Sequence, residues 1–248
     1  MRKFIKERFR VLWEGNLSLQ KISWHIPLLP EYHPSREYET AINVNWKEHK
    51  AKYPNDYNGT SLFLYDFTLL DDKLTLLVGT IKYSVFIYLY KNNIQINTGL
   101  GVLGVQSLVF SPNQTHFIVG KRSSHQQYYP KSIALPGGIC EKRDFELSPS
   151  KSLVREINEE IPLPLEPENF LTAILTGWNG VSTTFLITTT IKHTSNFNFG
   201  EVISGDPKEW DGNLRWINST QLKELDYKEV TDGLYYYKWK LCKELCKN

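Results

Sequence analysis

The sequence predicts an α+β protein, on two observations. Runs rich in Val, Ile, Leu, Phe and Thr, bounded by Gly, Pro, Asn and Asp, recur along the chain and read as strands. Between them lie segments with apolar residues at helical spacing, one of which opens at Ser148-Pro149 and stops at Pro162. The composition agrees. Of 248 residues, 41% are hydrophobic and 13% aromatic, ample apolar area for a packed core.

The elements follow in order. Residues 1–30 mix short apolar runs with Pro27 and Pro30 and read as strands and turns. Residues 36–51 read as a helix ended before Pro54. Asn55-Asp56-Tyr57-Asn58-Gly59 is a turn. Ser61–Leu70 and Lys73–Val78 read as strands joined at Asp71-Asp72. Residues 82–91 fit either a strand, by their Tyr, Phe, Val and Ile content, or a buried helix. Gly99–Phe110 and Thr115–Lys121 read as a hairpin turning at Ser111-Pro112-Asn113 and leading into Pro136-Gly137-Gly138. A helix is expected from Pro149 to Ile161, with Ser148 as N-cap. Phe170–Leu175, Val181–Ile191 and Leu214–Ile217 read as strands. Thr220–Leu225 and residues 231–247 read as helices. A boundary near residue 98 separates a mostly β N-terminal extension, 1–98, from a second unit, 99–248.

Several function classes are disfavoured. A net charge of +2 gives no basis for a nucleic-acid or membrane-surface partner. No run approaches the ~18 uncharged apolar residues of a membrane span. Charges break the apolar character of Met1–Arg8, so no signal peptide is read and a cytoplasmic location is expected. Cys140, Cys242 and Cys246 make no disulfide framework, and the last two, one helical turn apart, read as helix packing.

The chemistry concentrates in Leu153-Val154-Arg155-Glu156-Ile157-Asn158-Glu159-Glu160. At about 100° per residue, Glu156 and Glu160 share one helix face and Glu159 sits on its edge. Arg155 lies four before Glu159, at pairing distance. Three carboxylates so close repel, by about 0.2–0.5 kcal/mol per exposed pair. A hard divalent cation reverses that sign, whereas a purely solvated helix face leaves it. Upstream, the glycines of Pro136-Gly137-Gly138 allow a positive-φ turn and a close backbone approach.

This arrangement resembles the Nudix box, G-x5-E-x7-R-E-U-x-E-E-x-G-U, where U is aliphatic. Arg155, Glu156, Ile157, Glu159, Glu160 and Leu163 match its second half, with Pro162 in place of the glycine. Gly138 opens the first half, and Asp144 or, with a shifted register, Glu146 stands for its acid. The resemblance covers roughly residues 99–240. It implies an α/β/α sandwich with a mixed sheet and a diphosphate hydrolase requiring Mg2+ or Mn2+. In that scheme Glu156, Glu160 and Glu159 bind the metal, a carbonyl of Gly137 or Gly138 joins them, and Arg155 holds the helix carboxylates. A base outside the box accepts the proton of the attacking water; Glu209 is the choice among Glu201, Glu209 and Asp211 on the loop before Trp216. Lys121 and Arg122 are expected to hold substrate phosphates, and Gln126, Gln127, Tyr128 and Tyr129 are candidates for contacting the leaving group.

Within the N-terminal part, Tyr53–Gly59, Leu62–Phe67 and Gly79-Thr80-Ile81-Lys82-Tyr83 are similar to the UDP-sugar diphosphatases with a β-rich N-terminal extension. That similarity implies cleavage of UDP-glucose or UDP-galactose to UMP and a sugar 1-phosphate, and a helix over 82–91. The alternatives are a Nudix hydrolase of ADP-ribose, NADH or nucleoside triphosphates, and a catalytically silent nucleotide-binding domain. Each takes a small nucleotide as its partner.

Overall fold

The computed structural model describes residues 8–54, 57–96, 98–126, 128–165, 168–177, 180–191, 199–200, 202–205 and 208–245. Asn55, Asp56 and Cys246, singled out above, lie outside them. The elements are β1 (Phe9–Ser18), β2 (Ile22–Trp24), α1 (Glu39–Lys52), β3 (Thr60–Leu70), β4 (Lys73–Lys82), α2 (Tyr83–Lys91), β5 (Gly101–Phe110), β6 (His116–Lys121), β7 (Ile133–Ala134), α3 (Pro149–Glu160), β8 (Phe170–Gly177), β9 (Ser182–Thr190), β10 (Arg215–Asn218), α4 (Ser219–Glu224) and α5 (Asp232–Leu245). The α+β class and the mixed sheet are as the sequence predicts.

One sheet carries the strand order β1-β8-β9-β5-β3-β4-β2, and β6 joins it to β10 and β7. β5 runs parallel to β9 and β2 parallel to β4; the other ladders are antiparallel. Residue 98 falls between α2 and β5, and strands from both sides of it pair in this sheet: β1 with β8, β3 with β5.

Side chains alternate across a strand, and β5 shows where that puts the two cores. Leu103, Val105 and Val109 pack with Leu153 and Ile157 of α3. Val102 packs with Phe86 and Ile87 of α2, and Leu108 with Leu234 and Tyr235 of α5. Helices therefore cover both faces. Asp71 and Asp72 turn the β3–β4 hairpin with φ of +48° and +58°, as a two-residue turn requires.

Of the two readings left open for residues 82–91 the helix is the one that forms, and one other expectation needs amendment. Residues 83–91 form helix α2 despite their β-rich composition. The helix is apolar and buried at Ser84, Phe86, Ile87 and Leu89, where packing outweighs propensity. Its start is fixed from a distance, because Asn58 Oδ1 accepts the Ser84 N–H at 2.8 Å and the Gly59 carbonyl accepts the Tyr83 N–H at 3.0 Å. Strands β5 and β6 form the expected antiparallel hairpin only at its tip, where Ser111 N–H donates to the His116 carbonyl at 2.9 Å. They register only at Phe110 and Phe117. The glycine segment occupies the edge of β5 instead: the carbonyls of Pro136 and Gly138 accept from Ser107 and Val105 at 2.8 and 2.9 Å, and Cys140 N–H donates to Leu103 at 2.9 Å. β6 turns away to pair with β10.

Arg8 ties the chain start to the end of the fold. Its Nε donates to Asp232 Oδ1 at 2.7 Å, its Nη1 to the Tyr227 carbonyl at 2.8 Å and its Nη2 to the Val230 carbonyl, while the guanidinium lies 5.1 Å from the Tyr235 ring centre. Asp232 is buried. Arg8→Ala strands that carboxylate and is expected to lower stability by about 3–5 kcal/mol in denaturant titration. Arg8→Lys recovers less than half of the loss, because one ammonium cannot serve three separated acceptors. An unchanged midpoint in Arg8→Ala would contradict the assignment.

Candidate functional site

Helix α3 is built as its sequence reads. Ser148 Oγ caps Lys151 N–H, Pro149 opens the first turn, and the helix ends at Glu160 before Pro162. Leu153 and Ile157 fix its apolar side to the core, which turns Glu156 and Glu160 toward the glycine segment.

That segment meets the carboxylates by close approach. Gly137 has φ +141°, and a Cβ there would collide with the Val105 carbonyl. At Gly138 a Cβ would collide with Glu156 Oε2. Gly137 N–H donates to Glu160 Oε2 at 2.8 Å. Gly137 is thus required by its backbone, whereas at Gly138 the flexible end of the Glu156 side chain is what any Cβ would displace. The Gly138 carbonyl, expected among the metal ligands, accepts from Val105 N–H and so faces β5.

Arg155 is the hub. Its Nε and Nη2 donate to both oxygens of Asp144 at 2.7 and 2.8 Å, its Nη1 donates to Glu159 Oε1 at 2.7 Å, and its Nη2 also reaches Glu156 Oε1. Of the two acids the sequence left open, Asp144 is therefore the partner. It is fully buried, in a 3-10 turn (Lys142–Glu146) closed by a capping box in which Glu141 N–H donates to its Oδ2 at 2.6 Å. Ser152 Oγ clamps the Asp144 carbonyl at 2.6 Å.

The carboxylates differ in setting. The Glu156 side chain is 12% exposed and that of Glu159 53%; Glu160 is buried. Burial pushes the Glu156 carboxyl up to about 8; Arg155 opposes this, and Asp144, Glu159 and Glu141 reinforce it. Burial also raises the Glu160 carboxyl, together with the adjacent charge and hydrogen bond of Glu209. Glu209 is held by Arg122 Nη1 at 2.7 Å, and its own carbonyl accepts from Ser123 N–H at 2.8 Å.

These groups border a cavity of about 410 Å³ lined by Gly137, Gly138, Glu141, Arg143, Arg155, Glu156, Glu159, Arg122 and Glu209. Arg122 is half occupied with structure: it also donates to the Tyr128 carbonyl at 3.1 Å and to Gln126 Oε1 at 3.0 Å. Lys121 does not line the cavity, contrary to expectation. Neighbours on a strand face opposite ways, and Lys121 pairs with exposed Asp211 at 3.4 Å instead. Asp211 is likewise outside the lining, which leaves Glu209 inside it. Glu201 and Gln127 lie outside the described residues. Gln126 and Tyr128 line the cavity, whereas Tyr129 is outside the lining and packs edge-on against Tyr128 and Tyr90. The sequence reading missed Gln106, a polar residue in an apolar strand that lines the cavity, and Tyr83 and Phe86 of α2. The lone Gln in β5 was the available signal.

Among the described residues, no three His, Cys, Asp or Glu side chains converge as a ready-made metal cluster. The donor chemistry nevertheless fits a hard cation. Glu141, Glu156, Glu159 and Glu209 line the cavity opposite Arg122, Arg143 and Arg155, and Asp144 and Glu160, buried and outside the lining, add two more carboxyl groups behind them. Oxygen donors in excess of charge suit Mg2+ or Mn2+.

No family model and no curated protein matches the chain. Solved structures do resemble it. A Nudix hydrolase from M. smegmatis, RenU, is 18% identical, over 62% of this chain and 93% of that one, with a TM-score of 0.40. A MutT protein from Methanosarcina mazei is 14% identical over 58% and 94%, with a TM-score of 0.39. The Nudix domain of Shewanella oneidensis NrtR, solved with ADP ribose, is 14% identical over 58% and 88%, with a TM-score of 0.36.

Two substitutions in this site should move stability in opposite directions. Asp144→Asn removes a buried charge that Arg155 needs and should lower stability by about 1–3 kcal/mol. Glu156→Gln removes a carboxylate whose ionisation burial opposes, and should raise the melting temperature of metal-free protein by about 2–4 °C. Calorimetry in EDTA reads both, and a loss of stability in Glu156→Gln would show that the Arg155 contact outweighs its burial.

Proposed function

We propose that this chain is a Nudix hydrolase that, with Mg2+ or Mn2+, cuts the diphosphate linkage of a nucleotide, specifically a UDP-sugar into UMP and a sugar 1-phosphate. The observation that carries the reading is the burial of Glu156 and Glu160 against the Gly137-Gly138 turn, Glu160 behind and Glu156 within the lining of a cavity where four glutamates face three arginines. The Arg155–Glu160 motif supports it, because each of its charged members takes part in this one cluster. The UDP-sugar class rests on the similarity of the N-terminal segments 53–59, 62–67 and 79–83.

In this reading Glu156 and Glu160 hold the cation and Glu159, half exposed beside them, completes or orients the set. When bound, the cation neutralises phosphate oxygens and makes water more acidic. The chain's own groups do the rest. Glu209 accepts the proton of the attacking water, and Arg122 fixes that carboxylate in place at 2.7 Å. The water oxygen bonds to one phosphorus as the bridging P–O bond breaks, and the bridging oxygen leaves on the second phosphate. Arg155, bound to Asp144, keeps the glutamates aligned. The cavity's volume suits a nucleotide-sized ligand.

The test is hydrolysis by purified protein with Mg2+ or Mn2+ of UDP-glucose, UDP-galactose, ADP-ribose, NADH and nucleoside triphosphates, with products read by mass spectrometry. UMP and a sugar 1-phosphate are expected, with a loss of at least about 100-fold in Glu160→Gln. Turnover of another substrate alone would replace the UDP-sugar assignment. No turnover, or an unchanged Glu160→Gln, would overturn the hydrolase reading.

A further inference from the structure

The cavity lining has two chemically different parts. One holds the acids and arginines described above. The other is aromatic, and most of it comes from the N-terminal half. Tyr57, Tyr83 and Phe86 line it together with Tyr128. The rings form a connected wall: Tyr83 and Phe86 are 6.1 Å apart, Phe86 and Tyr128 5.8 Å, and Tyr128 and Tyr90 4.7 Å. Tyr128 is held from behind, its hydroxyl 2.9 Å from Ser182 Oγ.

Tyr57 differs from the rest. It lines the cavity yet is 83% exposed, an aromatic ring at the rim with little protein covering it. Its backing is built nonetheless. The ring lies over Gly59, where a Cβ would sit 3.2 Å from two ring carbons. The turn beneath it is pinned to α2 by Asn58 capping Ser84 and by Gly59 accepting from Tyr83. The same turn thus starts the helix that supplies Tyr83 and Phe86 and carries Tyr57 to the cavity.

Gln106 also lines the cavity, with its amide orientation fixed by its partners. Its Oε1 accepts the Gly233 N–H at 3.1 Å and stands 3.2 Å from the Thr231 hydroxyl. A backbone N–H can only donate, so the oxygen must be the buried branch, and the amide nitrogen is the branch left for the cavity. It offers N–H donors to an acceptor on a bound ligand.

We propose that the N-terminal half is the nucleotide reader of this site, and that Tyr57, with Tyr83 and Tyr128, both packed on buried Phe86, receives the planar base of the substrate by ring stacking. A planar ring matches flat aromatic faces, and stacking on one aromatic side chain is worth enough to set affinity. This deepens the hydrolase reading, on which its biological sense rests, but its test is one of binding and not of turnover.

Isothermal titration with UMP, with AMP and with ribose 5-phosphate, which lacks a base, separates the outcomes. Tyr57→Ala should weaken UMP or AMP about tenfold and leave ribose 5-phosphate unchanged, and Tyr57→Phe should restore base-dependent affinity. Equal weakening of ribose 5-phosphate would show a displaced turn and overturn the assignment. So would unchanged nucleotide affinity in Tyr57→Ala, or failure of the wild-type protein to prefer UMP or AMP over ribose 5-phosphate. Base-dependent binding without hydrolysis would sink the enzyme and keep the reader. Hydrolysis of UDP-glucose with nucleotide affinity indifferent to Tyr57 would do the reverse.

Discussion

The guanidinium of Arg155 is the constraint from which the site is assembled. It spans a buried carboxylate on one side, Asp144, and two helix carboxylates on the other, Glu156 and Glu159. Asp144 is buried to 0% exposure and Arg155 is its charge partner. Breaking such a pair leaves an uncompensated charge, a larger penalty than the pair's own net contribution. The 3-10 turn of Asp144 and helix α3 are therefore locked together. Because the turn follows the glycine segment directly, the lock also sets where Gly137 and Gly138 meet Glu160 and Glu156.

Strand β5 provides the second half of that alignment. Its edge is shared in sequence by β3, then by Pro136–Cys140, then by the single registered pair with β6. The glycine segment thus behaves as a short strand against the sheet, and its position is as rigid as the ladder. β3 comes from the N-terminal half, and Leu62 N–H donates to the Cys140 carbonyl at 2.8 Å. The two halves of the chain meet at the backbone beside the carboxylates, so the aromatic wall and the acidic floor share one frame.

Local signals in the sequence were enough for α3. Ser148, Pro149 and Pro162 mark its ends, and the spacing of Glu156 and Glu160 places both on the glycine side. The pairing of Arg155 with Glu159 follows from the same spacing. What could not be read depended on distant partners. The choice between Asp144 and Glu146 is made by a capping box and by burial. Helix α2 depends on Asn58, more than twenty residues upstream, and on apolar packing that overrides its composition. The β5–β6 hairpin is cut short because β3 and Pro136–Cys140, both distant in sequence from its tip, take the rest of that edge of β5. Lys121 is lost to the site by strand parity, and Gln106 is gained by it.

The central claim is that the excess of buried carboxyl oxygen at Glu156 and Glu160 is a divalent-cation site. Electron paramagnetic resonance of Mn2+ reads this directly, since the ion's free signal is lost on binding. The account predicts that the wild-type protein depletes the free signal, that Glu156→Gln and Glu160→Gln weaken the binding at least about tenfold, and that Glu14→Gln, on β1 and paired with Lys240, binds as the wild type does. Equal Mn2+ binding by all four proteins, or none by the wild type, would contradict it.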